Sequence, residues 1–225
     1  MLISHQRAMD KDEKRQRRQQ ILTAAAELFK TSDYDQVSVL EITRRCSLAK
    51  GTFYIYFNTK EELFLALLDE AFAAWFTELK ERIPSLYVED VPERIQAFAE
   101  LLTASLQEHD ILLRLLPLLH VLLERNIPYP VALAFKQHLR AFLLQTGQQI
   151  EQSFSFLQAG QGIELVLSAY AGLIGLQSMA EPSPVARQVL ELPEMALFKV
   201  ETIPLLRQMV VRLLAGLWFE NERNK

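Results

Sequence analysis

Apolar residues recur with helical spacing along most of the chain. In the N-terminal region they share one face of a helix predicted to run from about Asp12 to Lys30, at Ile21, Ala24, Ala25, Leu28 and Phe29. A second long helix opens at Thr59 with the order Thr-Lys-Glu-Glu, which has the form of a capping box. Its apolar face follows at Leu63, Ala66, Leu67, Ala71 and Trp75.

Two short helices are predicted between these long ones. Ser38-Val39-Leu40-Glu41 forms another capping box and starts a helix that ends near Arg45. Cys46, Ser47 and Leu48 make a tight connection to a second helix over 49–56. Two short helices joined by a three-residue turn match the anatomy of a helix-turn-helix. Upstream, Asp33 is the residue expected to adopt a left-handed conformation.

Beyond Pro84, prolines separate further helical segments. The pattern predicts helices over 92–108, 111–125, 131–158, 162–180 and 194–220. Pro204 falls inside the last of them, where it either kinks the helix or starts a shorter one. No run of alternating β-branched residues argues for a sheet. We therefore predict an all-α fold of about nine helices, with an N-terminal three-helix domain and a helical bundle.

Composition removes several classes of function. The 225 residues include one cysteine, Cys46, so a disulfide within the chain is impossible and a cysteine-based metal site is not expected. The longest apolar run, Ile111–Leu123, is interrupted by Arg114, Pro117 and His120 and falls short of the roughly 18 residues that span a bilayer. We expect a cytoplasmic protein without membrane partner, metal or cofactor.

Charge is distributed unevenly. The net charge is −4, which by itself argues against nucleic acid, but residues 1–60 carry +4 and residues 61–225 carry −8. A basic end on an acidic chain is the footprint expected of one DNA-contacting surface, although such an asymmetry also arises by chance.

One segment carries the functional signal. Residues 38–62 read SVLEITRRCSLAKGTFYIYFNTKEE. This segment resembles the DNA-binding domain of the TetR family of regulators, and the resemblance covers about residues 12–75. The matching positions are Lys50, Gly51, Thr52, Phe53, Tyr54, Tyr56, Phe57 and Lys60. The chain departs from the family pattern at Asp33, Ser47 and Ala49, and Val39 and Ile55 occupy places that are often polar, so their base contacts are doubtful.

The residue types suit DNA. Gly51 lets the backbone approach the major groove, and Thr52 and Tyr54 can touch base edges. Lys50, Tyr56 and Lys60 are assigned to phosphates, beside helix N-termini that attract anions. The predicted contact set is completed by Ser38 and Arg44. Two alternatives stay open: the tyrosines could be half-buried core residues, and Arg44 could be merely solvated. Phe53 and Phe57 share a face and are assigned to the core.

The predicted organisation is a flexible tail over residues 1–11, a DNA-binding domain over 12–58 and a helical domain over 59–225. The resemblance implies that the last domain binds a small-molecule effector and dimerises through its last two helices. A stripe of small residues suits close helix approach at Ser168, Ala171, Gly172 and Gly175. An apolar stripe on the last helix contains Leu206, Val210, Leu213 and Leu217. Both stripes could instead be internal core.

An apolar or aromatic effector would need a mostly apolar pocket with a few polar groups. The residues predicted to line it are Phe98, Leu102, Leu116, His120, Phe135 and Tyr170. His120 could also be an ordinary core histidine.

The function predicted from these features is that of a dimeric regulator, a repressor released from a palindromic DNA operator by a small molecule. Four histidines and one cysteine form no catalytic grouping, so no enzyme is expected. The alternative is a helical interaction protein, or an activator without ligand-controlled repression.

Overall fold

A computed structural model describes the backbone of residues 2–223 and the side chains of residues 12–223. Within these ranges the chain is helical and has no strand, which confirms the predicted all-α class. The α-helices in chain order are α1 (Leu2–Thr31), α2 (Val39–Arg45), α3 (Lys50–Phe53), α4 (Lys60–Arg82), α5 (Val91–Glu108), α6 (Asp110–Leu115), α7 (Tyr129–Ser153), α8 (Gln161–Ala180), α9 (Pro184–Leu190) and α10 (Thr202–Arg223).

The chain divides into two compact units. The first, which we call the head, comprises Met1–Ala71 and Leu118–Lys136, and the second, the body, comprises Phe72–Pro117 and Gln137–Lys225. The domain boundary predicted between residues 58 and 59 falls inside the head and stays a prediction about function. Helix α1 begins at Leu2 rather than near Asp12, and the predicted flexible tail, residues 1–11, lies outside the residues whose side chains are described.

The head is held together by a core that α1, α2 and α4 share. Ile21, Ala25 and Phe29 of the predicted α1 face are buried, as is Ile42 of α2. The Phe64 ring of α4 meets the edge of Phe29 at 5.3 Å between centroids. Because these apolar faces come from three different elements, their burial fixes the short helix α2 in place.

Residues 118–136 pack with the head although they are distant from it in sequence. The Thr59 hydroxyl donates to the Asn126 carbonyl at 3.0 Å, and the Asn126 amide donates to Glu61 at 3.4 Å. Thr59 also accepts from the Glu62 backbone N–H at 3.0 Å, which confirms the forward half of the predicted capping box. The return bond is different, because the Glu62 carboxylate accepts from the backbone and side chain of Asn58 instead.

In the body, α10 packs against α5 and α8. Helices α7 and α8 approach each other closely at a pair of glycines, where a Cβ on Gly162 would lie 2.1 Å from the carbonyl oxygen of Gly147. The Glu151 carboxylate accepts from the backbone N–H groups of Gly160 and Gly162 at 2.8 and 3.0 Å. An acidic group there complements the positive end of α8.

The predicted helices differ from the observed ones in two regions. The helix expected over 111–125 is broken at Pro117 into α6 and a π-helical turn, Leu119–Leu123. Helix α9 was missed, although Ser183 before Pro184 is a helix-start signal, and Ser183 accepts from the Ala186 N–H at 3.3 Å. Pro204 lies in the first turn of α10, after a separate 3₁₀ segment, Pro193–Phe198, so it causes no kink.

Two helices of the body are unusually apolar for their burial. By length and composition alone, α8 and α10 could each cross a membrane. In the most apolar 18-residue stretch of each helix, only 17% is buried within the chain. The sequence pattern did not indicate this property, because polar residues interrupt the apolar runs of both helices. Part of the apolar surface of both helices, including Leu167, Met179 and Phe219, therefore stays accessible in the folded chain.

Candidate nucleic-acid interface

Helix α2 begins at the capping box expected from the sequence. The Glu41 backbone N–H donates to the Ser38 hydroxyl oxygen at 3.2 Å, and the Ser38 backbone N–H donates to the Glu41 carboxylate at 3.0 Å. The Ser38 hydroxyl also donates to that carboxylate at 2.7 Å. These hydrogen bonds from Ser38 hold the pKa of the Glu41 carboxyl below its usual range. Ser38 is thus occupied in starting α2, although it remains exposed.

The turn between α2 and α3 contains a strained residue. Ser47 has φ of +55°, the left-handed region that disfavours a side chain. The prediction of this conformation at Asp33 is wrong, because Asp33 is extended with φ of −74°. Ser47 stands where the family pattern has glycine, so the backbone geometry of the turn is kept at a cost in strain.

Helix α3 is shorter than predicted and is held in place by aromatic residues. It spans Lys50–Phe53, and hydrogen-bonded turns continue the chain to Phe57. Phe53 and Phe57 are buried, with ring centroids 5.8 Å apart, which confirms their assignment to the core. Ala49 provides no side-chain cap at the start of α3, so the anchoring comes from these two rings.

The predicted reading residues lie together on the outside of this segment. Lys50 and Gly51 are exposed, Thr52 and Tyr56 are half-buried, and the Tyr54 side chain is 51% exposed. An added Cβ on Gly51 would meet no heavy atom within 4 Å. We call this surface, formed by residues 50–56, the reading face. Its exposure argues against the alternative in which Tyr54 is a core aromatic.

Lys60 does not join the reading face as an outward cation. Its ammonium donates to the Tyr34 backbone carbonyl and lies 3.8 Å from the centroid of the Tyr34 ring. Partial burial lowers the pKa of Lys60, although nearby carboxylates oppose the shift. Burial and the Glu61 carboxylate, to which the phenol donates at 3.2 Å, raise the pKa of Tyr34. Lys60 therefore braces the start of α4 against the turn at Tyr34, a role that the motif alone did not indicate.

The remaining basic residues of the head differ in their partners. Arg44 is exposed, whereas Arg45 is paired with Glu27 at 2.7 Å. Arg18 lies over the Phe57 ring at 5.1 Å, which supports the aromatic anchor of α3. Arg44 thus fits the predicted contact set better than its neighbour does.

Cys46 closes α2. Its thiol donates to the Gln20 carbonyl at 3.4 Å, and burial together with the Glu27 charge raises the pKa of that thiol. A thiol that stays protonated is a poor nucleophile, which fits a structural role for Cys46.

The predicted dimer residues divide into two groups. Leu206 and Val210 are buried within the chain, and a Cβ on Gly172 would lie 2.6 Å from the Met209 side chain of α10. These three residues belong to the packing of the body, so they are removed from the predicted interface. Five of the predicted residues remain exposed or half-buried: Ser168, Ala171, Gly175, Leu213 and Leu217. Leu167, which was not predicted, is exposed next to them on α8.

The predicted pocket residues are placed as follows. In the body, Phe98, Leu102 and Leu116 are buried and Tyr170 is half-buried. In the head, Phe135 is buried, whereas His120 is exposed and lies 3.1 Å from the Glu124 carboxylate. His120 therefore sits at the surface beside a charged group instead of among leucines. The pocket itself stays a prediction.

Two open grooves among the described residues contain none of the predicted pocket residues. One, of about 420 Å³, lies in the body and is lined by apolar residues that include Met179, Val189 and Phe198. The other, of about 600 Å³, is a polar groove of the head between α1 and Cys46. The first groove could not be predicted from the sequence, because helix α9, which lines it, was not predicted.

Comparison with curated proteins supports the DNA-binding assignment. The uncharacterized HTH-type transcriptional regulator YuxN of Bacillus subtilis is 41% identical over 59 residues, but the match spans only 20% of that protein. The uncharacterized regulator YdgC of the same organism is 25% identical over 185 residues, covering 78% of this chain and 89% of YdgC.

Solved structures share the fold. A putative TetR-family regulator from Mesorhizobium loti covers 90% of this chain and 95% of its own, with a TM-score of 0.55 and 20% identity. The regulator FadR of Bacillus subtilis, solved in complex with stearoyl-CoA, covers 87% and 96% with a TM-score of 0.51 and 19% identity.

Two protein-family models match the chain, and together they cover most of its length. Residues 21–67 match the bacterial regulatory proteins of the tetR family, and residues 69–221 match the tetracyclin repressor-like C-terminal domain. The first match contains the helix-turn-helix and its reading face, and the second covers most of the remaining chain. The protein belongs to the TetR family of DNA-binding transcriptional regulators.

Proposed function

We propose that this regulator is a dimeric repressor that binds a palindromic operator through the reading face of each head and is released by a small apolar effector. The observation that carries the proposal is the placement of Lys50, Gly51, Thr52 and Tyr54 together on an exposed segment whose Phe53 and Phe57 are locked in the core. Such a segment is rigid and presents polar, cationic and aromatic groups outward.

Each reading-face residue has a proposed role. Gly51 allows the backbone to come close to the groove, and Thr52 and Tyr54 contact base edges. Lys50, Tyr56 and Arg44 hold phosphates, and Ser38 adds a hydroxyl at the start of α2. Lys60 positions α4 through Tyr34 and contributes only long-range attraction to the DNA.

A dimer is required to read two half-sites, which in helix-turn-helix proteins lie about 34–36 Å apart or a multiple of that. We propose that α8 and α10 of two copies form a four-helix interface. Leu167 of α8 is 47% exposed, and Ala171 and Gly175 continue the same exposed face one and two turns later. An uncovered apolar face of this length favours burial against the identical face of a second copy. We also propose that the protein is cytoplasmic.

The effector is proposed to bind in the body. The match to a tetracyclin repressor-like C-terminal domain supports a ligand-binding role, and FadR shows that a protein of this fold binds an acyl-CoA. The apolar residues Phe98, Leu102 and Leu116, with Tyr170 as a polar group, remain the proposed lining within the body. Phe135 and His120 belong to the head and are left out of this lining.

Selection of bound duplexes from a random pool tests the proposal. The expected result is an inverted repeat that the protein binds at least about a thousandfold more tightly than bulk DNA. Affinity for DNA should fall steeply as the salt concentration rises. Lys50→Ala should reduce the slope of log affinity against log salt concentration by about one, because one phosphate contact is lost. The matched control is Arg187→Ala on α9, which should leave the slope unchanged. Equal binding of all duplexes would contradict the proposal.

A further inference from the structure

The reading face contains an exposed apolar side chain that the proposed contacts leave unused. Ile55 is 70% exposed, more than any other large hydrophobic residue described between Asp12 and Lys80. The next most exposed in that range are Tyr54 at 51% and Leu40 at 44%. A single exposed isoleucine is ordinary on a protein surface, so its position must carry the argument.

The fold fixes the direction of Ile55. Its backbone N–H donates to the Thr52 carbonyl at 3.2 Å, and the N–H groups of Tyr56 and Phe57 both donate to Phe53 at 2.9 and 3.0 Å. Phe53 and Phe57 are buried on either side of it in the chain. Because both neighbours point into the core and the backbone between them is hydrogen-bonded, Ile55 is held outward. Its β-branched side chain is also stiff about χ1.

The chemistry of isoleucine restricts what it can contact on DNA. An aliphatic side chain has no donor or acceptor, so against a phosphate or a polar base edge it would remove water without replacing the lost hydrogen bonds. The major groove offers one apolar group on an unmodified base, the C5-methyl of thymine. Resting on the proposed function of the reading face, we propose that Ile55 recognises one thymine per half-site through its C5-methyl group.

This inference reverses the expectation from the sequence pattern. There, Ile55 stood at a place that is often polar and its base contact was doubtful. In the structure it lies beside Tyr54 on the exposed side of the reading face. Burying one methyl group accounts for about a fourfold gain in affinity per half-site, or roughly 15-fold for the two half-sites of a dimer.

The test replaces thymine by deoxyuridine, which removes only the C5-methyl group. Each thymine of the selected operator is replaced in turn, symmetrically in both half-sites, and binding is measured by fluorescence anisotropy. At one position the unsubstituted protein should lose roughly 15-fold in affinity. Ile55→Ser and Ile55→Ala should bind the thymine and deoxyuridine operators equally at that position, with full sensitivity retained at any other methyl-dependent position.

Two controls separate the contact from a general effect on the head. Ile55→Val keeps a branched apolar group and should keep most of the methyl dependence, whereas Val185→Ala, at an exposed aliphatic residue of α9 outside the reading face, should leave it unchanged. Circular dichroism should give nearly the same melting temperature for the Ile55 variants, because a side chain that is 70% exposed leaves little buried space when it is shortened.

Three outcomes would overturn the inference and leave DNA binding intact: an operator without thymine in its half-sites, no position sensitive to deoxyuridine, or equal sensitivity in the Ile55→Ala protein. Failure to select any operator is a different result, since it overturns the proposed function itself and the inference with it.

Discussion

The head and the paired helices α8 and α10 of the body treat their apolar residues differently. In the head, Phe53, Phe57 and Ile42 are buried within one chain, and the reading face outside them is mostly polar or aromatic. In the most apolar 18-residue stretch of α8 and of α10, only 17% is buried, and Leu167 of α8 remains 47% exposed. One region completes its core alone, whereas the other keeps an apolar surface after the chain has folded.

This difference indicates what each region needs. The head has a closed core and an outer face suited to DNA, so its folding and its binding surface are separable. The exposed side of α8 has no comparable cover within the described residues, and burial of such surface is worth about 25 cal/mol per Å². We therefore expect mutations on the reading face to change DNA affinity and to leave the free energy of unfolding unchanged. Mutations on the exposed side of α8 should change the strength of the dimer.

The largest effect is expected where α8 is already covered by its own chain. Gly162→Ala would place a Cβ 2.1 Å from the Gly147 carbonyl, so the α7–α8 crossing must open. We expect a loss of about 3 kcal/mol in the free energy of unfolding, measured by urea denaturation. Gly216→Ala is the control, since its Cβ meets nothing within 4 Å and should stabilise by roughly 0.5 kcal/mol. Equal stability of both variants would show that the crossing adapts.

The second-largest effect is expected on the side of α8 that the rest of the body leaves uncovered. Leu167→Glu should weaken the dimer about a hundredfold in sedimentation equilibrium, because the interface would bury an unpaired charge. Helix content should be unchanged. Val185→Glu on α9 is the control, because Val185 is even more exposed at 73% but lies outside the proposed interface. If Leu167→Glu leaves the dimer intact, the proposed interface is wrong.

The third effect tests whether the head separates binding from folding. Gly51→Ala adds a methyl group that meets nothing in the chain, so the melting temperature should stay the same or rise slightly. Operator affinity should fall about tenfold, as expected when close approach of α3 to the groove is obstructed. A stable variant with normal operator affinity would remove Gly51 from the reading face.

The smallest effect concerns the capping box of α2. Ser38→Ala should lower the free energy of unfolding at neutral pH by about 1 kcal/mol. The pKa of Glu41 is lowered from its ordinary value of 4.5, so its stabilising contribution is present above that value and is lost as the pH falls through the lowered pKa. The difference between the two proteins should therefore shrink from pH 6 to pH 3. A constant difference would contradict the proposed link between Ser38 and Glu41.

Much of the head could be predicted from its sequence because its signals are local. The Ser38 capping box, the three-residue turn and the buried pair Phe53 and Phe57 all depend on residues within one or two helical turns. The misplaced left-handed residue shows the limit. Asp33 tolerates that conformation better by residue type, but closure of the turn after α2 requires it at Ser47.

The body was less predictable because its contacts join distant positions. The small-residue stripe of α8 was assigned as a whole to the dimer, yet Gly172 faces Met209 of the same chain while Gly175 is open. Periodicity locates a face but does not identify the surface that covers it. Residues 118–136 gave no sign in sequence of belonging with the head, since that follows from contacts such as Thr59 with Asn126.

The sequence by itself determined the helical class, the family resemblance and the residues of the reading face, because helix caps, turn spacing and the Lys50–Phe57 motif are encoded within a few residues. Only the tertiary structure showed that Lys60 braces Tyr34, that Leu206 and Val210 lie inside the chain, and that Ile55 is held outward between two buried rings. These assignments depend on which surfaces meet in space, and a pattern along one chain does not contain that information.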